Sequence, residues 1–128
     1  MKICYSVLLS FVIMISCDRT YYHDFYIKNS CKDSIEIKLY YYERYAYPAS
    51  GRPLTVNFVL ENNGYKLIGS ESTIKVFDDI RYYFDSIVIK KDEKKSNIDY
   101  LDYSRWDSKE KSKRCTESYL TVSPEDFE

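Results

Sequence analysis

Ser34-Ile35-Glu36-Ile37-Lys38-Leu39-Tyr40-Tyr41-Tyr42 alternates apolar and polar side chains almost without interruption. Ile35, Ile37, Leu39 and Tyr41 fall on one side of an extended chain, and Glu36, Lys38, Tyr40 and Tyr42 on the other. A helix would scatter that apolar set around its axis. A strand, whose side chains point alternately to opposite faces, gathers it. The stretch predicts a half-buried β-strand with its apolar side toward a core.

Outward from that strand the same signal recurs. Phe25 and Ile27 predict a shorter strand before it, across the turn-forming Asn29-Ser30-Cys31-Lys32-Asp33. Leu54, Val56, Phe58 and Leu60 alternate again, and Asn62-Asn63-Gly64 supplies residues that tolerate positive φ. With Tyr65, Leu67 and Ile68 beyond the turn, residues 54–69 read as a β-hairpin. Ile74 and Val76 predict a further strand, Ile87-Val88-Ile89 a central one, and Tyr119 to Val122 a last one before Pro124. Seven short strands without a convincing helical period make the chain all-β, a single antiparallel sandwich. Composition agrees: 15 Tyr stand against 6 Phe and 1 Trp, and strands favour aromatic side chains. The exception in texture is Lys90 to Arg114, which is lysine-rich and poor in β-branched residues. It is expected to be a long loop, holding at most a short helix around Ile98 to Trp106.

The chain opens differently. Lys2 is the only charge before an apolar run from Ile3 to Ser16, 14 residues long. A spanning helix needs roughly 20. A positive start, a short apolar stretch and a small residue are the order of a secretory leader. Met14-Ile15-Ser16-Cys17 resembles a lipobox, the motif cut before a cysteine that has received diacylglycerol, although Met14 stands where leucine is usual. The resemblance implies a leader at 1–16, a lipidated tether at 17–23 with Cys17 as the lipid carrier, and a domain at 24–128. Two acyl chains or more hold a protein stably on a bilayer, each buried methylene contributing about 0.8 kcal/mol. An ordinary cleaved leader, or an uncleaved anchor with an incidental cysteine, is the alternative.

The overall layout also resembles small lipoproteins of Gram-negative gut commensals, many without an assigned activity. The matching features are the lipobox at Cys17, the strand start Phe84-Asp85-Ser86-Ile87 and the ending Tyr119-Leu120-Thr121-Val122-Ser123-Pro124-Glu125-Asp126-Phe127. Those proteins imply an immunoglobulin-like β-sandwich, and they carry no catalytic residues across.

Without residues 1–16 the chain keeps 112 residues, enough for one small core. Losing Lys2 leaves 18 basic against 20 acidic side chains, a net −2, so no positive field points to nucleic acid. Of the four cysteines, Cys4 leaves with the leader and Cys17 is blocked by lipid. Cys31 and Cys115 remain, and in an exported protein such a pair predicts a disulfide, with two buried free thiols as the alternative.

Carboxylates are plentiful enough for a glycosidase-like pair, and no other catalytic constellation stands out in the sequence. The one histidine, His23, falls six residues after Cys17 and is expected to be a solvated tether side chain. There is no GxSxG, no clustered Cys and His for zinc, and no phosphate-binding loop in a chain with 3 glycines. Asp78, Asp79 and Asp85 are near enough in sequence to consider calcium, but without the spacing of a calcium-binding loop. No metal, cofactor or enzyme activity is expected.

Aromatics carry the functional expectation. Tyr40, Tyr41, Tyr42, Tyr45 and Tyr47 cluster at one strand end and its loop, and Tyr42, Tyr45 and Tyr47 are expected to be exposed as a recognition surface. The alternative is that these rings cover a sheet or an edge. Two functions follow: a non-catalytic binding or structural module at the cell envelope, with an envelope protein or a glycan as partner, or a periplasmic inhibitor or immunity-type lipoprotein that plugs an enzyme. The lipid anchor places either one on a membrane, with the outer membrane favoured over the inner.

Overall fold

The computed structural model describes residues 20–41, 55–73 and 84–128. Within them the chain is all-β. The strands are β1 (Tyr21–Asn29), β2 (Ile35–Tyr41), β3 (Thr55–Leu60), β4 (Tyr65–Thr73), β5 (Phe84–Lys91), β6 (Lys94–Lys95), β7 (Trp106–Ser112) and β8 (Cys115–Val122), with 3-10 turns at Tyr103–Arg105 and Pro124–Phe127. They form two four-stranded sheets, ordered β4-β1-β8-β7 and β3-β2-β5-β6.

The core lies between the sheets. Ile35, Ile37 and Leu39 of β2 are each at most 1 % exposed, so the alternation quoted above points its apolar side inward as expected. They meet Phe25 and Ile27 of β1 and Leu120 and Val122 of β8 in one apolar cluster. Phe25 packs edge-on against Phe84 of the facing sheet, ring centres 6.0 Å apart, and against Trp106 at 5.9 Å. A second lock closes one end: Tyr100 Oη lies 2.8 Å from Ser96 Oγ and 3.1 Å from Asp126 Oδ2, while Trp106 Nε1 donates to Tyr100 O at 2.9 Å. Burial pushes the Tyr100 phenol well up, so it stays a neutral hydroxyl.

Several expectations change. Residues 54–69 are not a hairpin, because β3 and β4 lie in different sheets. Asn62-Asn63-Gly64 is an arch that crosses the core, with Asn63 at φ 57. Its backbone docks on the end of β1: Asn63 N donates to Asn29 O, and Asn29 N to Gly64 O, both at 2.9 Å. Gly64 is required there, since a Cβ would stand 2.9 Å from Glu61 O.

The polar segment 90–114 is largely strand. Asp92 and Glu93, at φ 50 and 66, form the two-residue turn between β5 and β6, and β7 pairs antiparallel with β8. β7 is an edge strand with Trp106 buried and the other six residues exposed. An edge exposed on both faces shows no alternation, and its charges discourage pairing with another chain. The expected helix near Ile98 to Trp106 shrinks to the 3-10 turn Tyr103–Arg105.

The sheets are not wholly antiparallel, and this removes the disulfide. β1 pairs parallel with β8, from Tyr22 opposite Cys115 to Asn29 opposite Val122. Cys31 sits just past the end of β1, its Sγ 3.9 Å from Val122 O. Cys115 begins β8, seven residues before Val122. At about 3.3 Å per residue the two thiols lie roughly 20 Å apart, where a bridge needs Cα atoms within about 7 Å. Both are free, Cys31 buried and Cys115 partly exposed. Burial raises the Cys31 thiol and makes it a poor nucleophile.

Candidate functional site

The tyrosines that the structure brings together are not the consecutive ones. Strand register sets side chains from four strands in rows on the outer face of the first sheet. One row is Tyr65, Lys28 and Thr121, and the next is Leu67, Tyr26, Tyr119 and Asp107. Below them come Ser70, Asp24, Glu117 and Lys109, then Ser72, Tyr22, Cys115 and Ser112. Tyr26 and Tyr119 stack at 4.9 Å with planes 12° apart, and Tyr65 tilts against Tyr26 at 6.3 Å. Tyr65 is 67 % exposed, Tyr22 56 % and Leu67 47 %, so much of this aromatic face meets solvent.

The stack is held by charge. Lys111 Nζ lies 2.8 Å from Glu117 Oε1, and Tyr119 Oη donates to Glu117 Oε2 at 2.6 Å. The Lys111 hydrogen bond, then that of Tyr119, holds the Glu117 carboxyl below its ordinary range. The bond to Glu117 raises Tyr119 to about 12, and burial raises Tyr26, so both phenols are neutral near pH 7. A ring fixed by a hydrogen bond loses little freedom on meeting a ligand. Between Tyr65 and Tyr119 lies an open cleft of about 440 Å³, whose other lining residues are Lys28, Asp107, Lys109 and Thr121.

The outer face of the second sheet also carries a cleft, of about 660 Å³, beside Glu36, Lys38, Tyr40, Asn57, Val59 and Lys90. Tyr40 there has Lys38 Nζ 5.4 Å over its ring, whereas Phe58 lies opposite the buried Ile37 and packs against the core. The tyrosine ring on that face is covered by the protein's own cation. Among the described residues the first sheet presents the larger open aromatic face.

Of the sequence candidates, Tyr42, Tyr45, Tyr47 and Cys17 lie outside the described residues, as do Ile74, Val76, Asp78 and Asp79. Tyr41 turns inward, its hydroxyl donating to Ile68 O at 2.8 Å. Among the described residues no group of three or more His, Cys, Asp or Glu is placed to hold a metal ion.

His23 is not a solvated tether residue. It belongs to β1 and is 5 % exposed, stacked on Phe25 at 4.6 Å. Its Nε2 and Ser118 Oγ are 2.7 Å apart, and Ser118 Oγ is also bonded to Ser108 Oγ at 2.7 Å and Tyr103 Oη at 3.0 Å. A histidine on a serine is the arrangement of an activated nucleophile. Ser118, however, is 0 % exposed, so its hydroxyl reaches no substrate in this conformation. Its role here is to satisfy a buried imidazole.

Burial lowers the His23 pKa, outweighing Asp24, which raises it. The unfolded chain, with histidine near 6.5, therefore binds the proton more readily than the fold does. Stability from neutral His23 is complete above that pH and is lost as pH falls through 6.5 toward the lower folded value. Melting temperature is expected to hold between about pH 8 and 7 and to fall on further acidification, with a shallower fall in His23→Gln. Equal slopes for both proteins would contradict a neutral buried His23.

The chain matches no protein-family model, no curated protein and no solved structure.

Proposed function

We propose that this chain is a lipid-anchored bacterial envelope protein whose β domain binds an envelope partner or glycan through the tyrosine face of its first sheet. The observation that carries the binding role is the Tyr26–Tyr119 stack beside the exposed Tyr65. Tyrosine presents large, rigid contact area with a polar tip, which suits recognition at little entropic cost. The lipid anchor rests on the leader-like start and on Ser16-Cys17, followed at once by Asp18 and Arg19. No helix among the described residues is long and apolar enough to cross a membrane. The outer membrane is favoured over the inner.

The domain is read as an immunoglobulin-like sandwich in its two-layer build, with departures in the parallel β1–β8 pair and in strand order. β1 lies inside its sheet between β4 and β8, whereas constant-type immunoglobulin domains carry their first strand at an edge.

Metabolic labelling with a fatty-acid analogue tests the anchor. Wild-type protein is expected to be labelled and to partition with membranes, and Cys17→Ala to be unlabelled and released. Equal labelling of the two proteins would remove the anchor from the proposal.

A further inference from the structure

We infer that the cleft between Tyr65 and Tyr119 is a subsite for an acidic saccharide, a hexuronate unit of a glycan chain. This rests on the proposed recognition face and narrows it to one chemical class.

The lining is amphipathic in the sense that a sugar is. Two phenol rings offer apolar surface to the C–H face of a pyranose, and Thr121, Asp107, Lys28 and Lys109 offer donors and acceptors to its hydroxyl rim. A peptide would ask for a closed apolar pocket or would pair along the backbone of a free edge, β4 or β7, whereas this cleft is open and lies among side chains on the sheet face. Its polar lining comes largely from β1, β8 and β7, while β8 is paired on both sides.

Charge then selects among sugars. Glu117 on the same face is 8 % exposed and held by Lys111, so it contributes little negative field to the cleft. Asp24, two residues from Tyr26 on β1, accepts a hydrogen bond from Ser70 Oγ at 2.7 Å. Within the cleft itself two lysines stand against Asp107 alone, a local excess of one positive charge on a chain whose net charge is −1. That excess is complementary to a carboxylate carried on the ring. Thr121 and Lys28 are opposite each other in the β1–β8 register, which sets their side chains next to each other on this face.

The test is titration calorimetry of the full chain in detergent with trigalacturonate and trimannuronate, beside neutral maltotriose and tetraglutamate as probes. At least one uronate is expected to bind, more weakly as salt is raised, and at least tenfold better than maltotriose or tetraglutamate. Tyr65→Ala and the pair Lys28→Gln with Lys109→Gln should each weaken it tenfold or more. Thermal melts of these exposed-site variants should match wild type, which separates lost binding from lost folding. Binding unchanged by either variant overturns the subsite. Equal binding of tetraglutamate shows charge attraction without sugar recognition and overturns it too. If neither uronate binds but maltotriose or tetraglutamate does, in a Tyr65-dependent way, the acidic-saccharide inference fails while the recognition face stands. If no probe binds, the inference fails, and photo-crosslinking from position 65 then decides the fate of the face on its own.

Discussion

Asn29→Ala is expected to destabilise the fold by about 3–5 kcal/mol, out of a total that for a domain this size is about 5–15. The side chain is fully buried and makes three bonds to backbone. Its Nδ2 donates to Asp33 O and Leu60 O, both at 2.9 Å, and its Oδ1 accepts from Cys31 N at 2.8 Å. One amide thus ties the end of β1 to the turn before β2 and to the arch between β3 and β4. Alanine leaves those three groups without their partner, and each buried unsatisfied group costs about 1–3 kcal/mol. Asn29→Asp is expected to be no better, since it keeps the acceptor for Cys31 but sets a carboxylate against two carbonyls. Urea unfolding followed by circular dichroism measures both. A loss below about 1 kcal/mol in Asn29→Ala would mean that water replaces the amide and that the arch does not depend on it.

Phe25→Ala is the second large effect, expected at about 3–5 kcal/mol. The ring has no exposed surface and touches both layers, with Phe84 and Trp106 edge-on and His23 stacked on it. Its loss opens a cavity between the sheets and removes aromatic contacts, each worth about 0.5–1.5 kcal/mol beyond burial. Phe25→Leu should lose much less, because most of the volume is kept. Near-ultraviolet circular dichroism should report the loss of the Trp106 environment in the alanine variant first. Similar stabilities for Phe25→Ala and wild type would contradict the placement of the core between the sheets.

What the sequence disclosed follows from which faces are buried. β2 is buried on one side, so Ile35, Ile37 and Leu39 betray it directly, and the all-β class follows from repeats of that pattern. β7 is exposed on both sides and carries no period, so only its pairing to β8 reveals it. Asn62-Asn63-Gly64 is equally good chemistry for a hairpin and for an arch. The choice is made by Asn29, whose backbone and side chain lie more than thirty residues earlier and capture the turn.

The cysteines failed for a similar reason. Counting unblocked thiols says nothing of where a parallel β1–β8 pair will put them. The tyrosine expectation rested on residues next to one another in sequence, and Tyr42, Tyr45 and Tyr47 lie outside the described residues. A run such as Tyr40-Tyr41-Tyr42 is visible in sequence, whereas Tyr26 and Tyr119 become neighbours only through the parallel register. His23 and Ser118 meet by the same register, 95 residues apart. No local motif contains them both.

On the function proposed above, the outer face of the first sheet is where this protein meets its partner. Photo-crosslinking in the cells that make it tests this most directly, with benzoylphenylalanine placed singly at Tyr65, at Tyr22 and, on the opposite sheet, at Lys38. Crosslinked species, to a glycan or a protein, are expected from 65 and 22 and not from 38, and are expected to be lost in Cys17→Ala if the anchor delivers the domain to its partner. Adducts from 38 with none from 65 or 22 would contradict the account and move recognition to the other face.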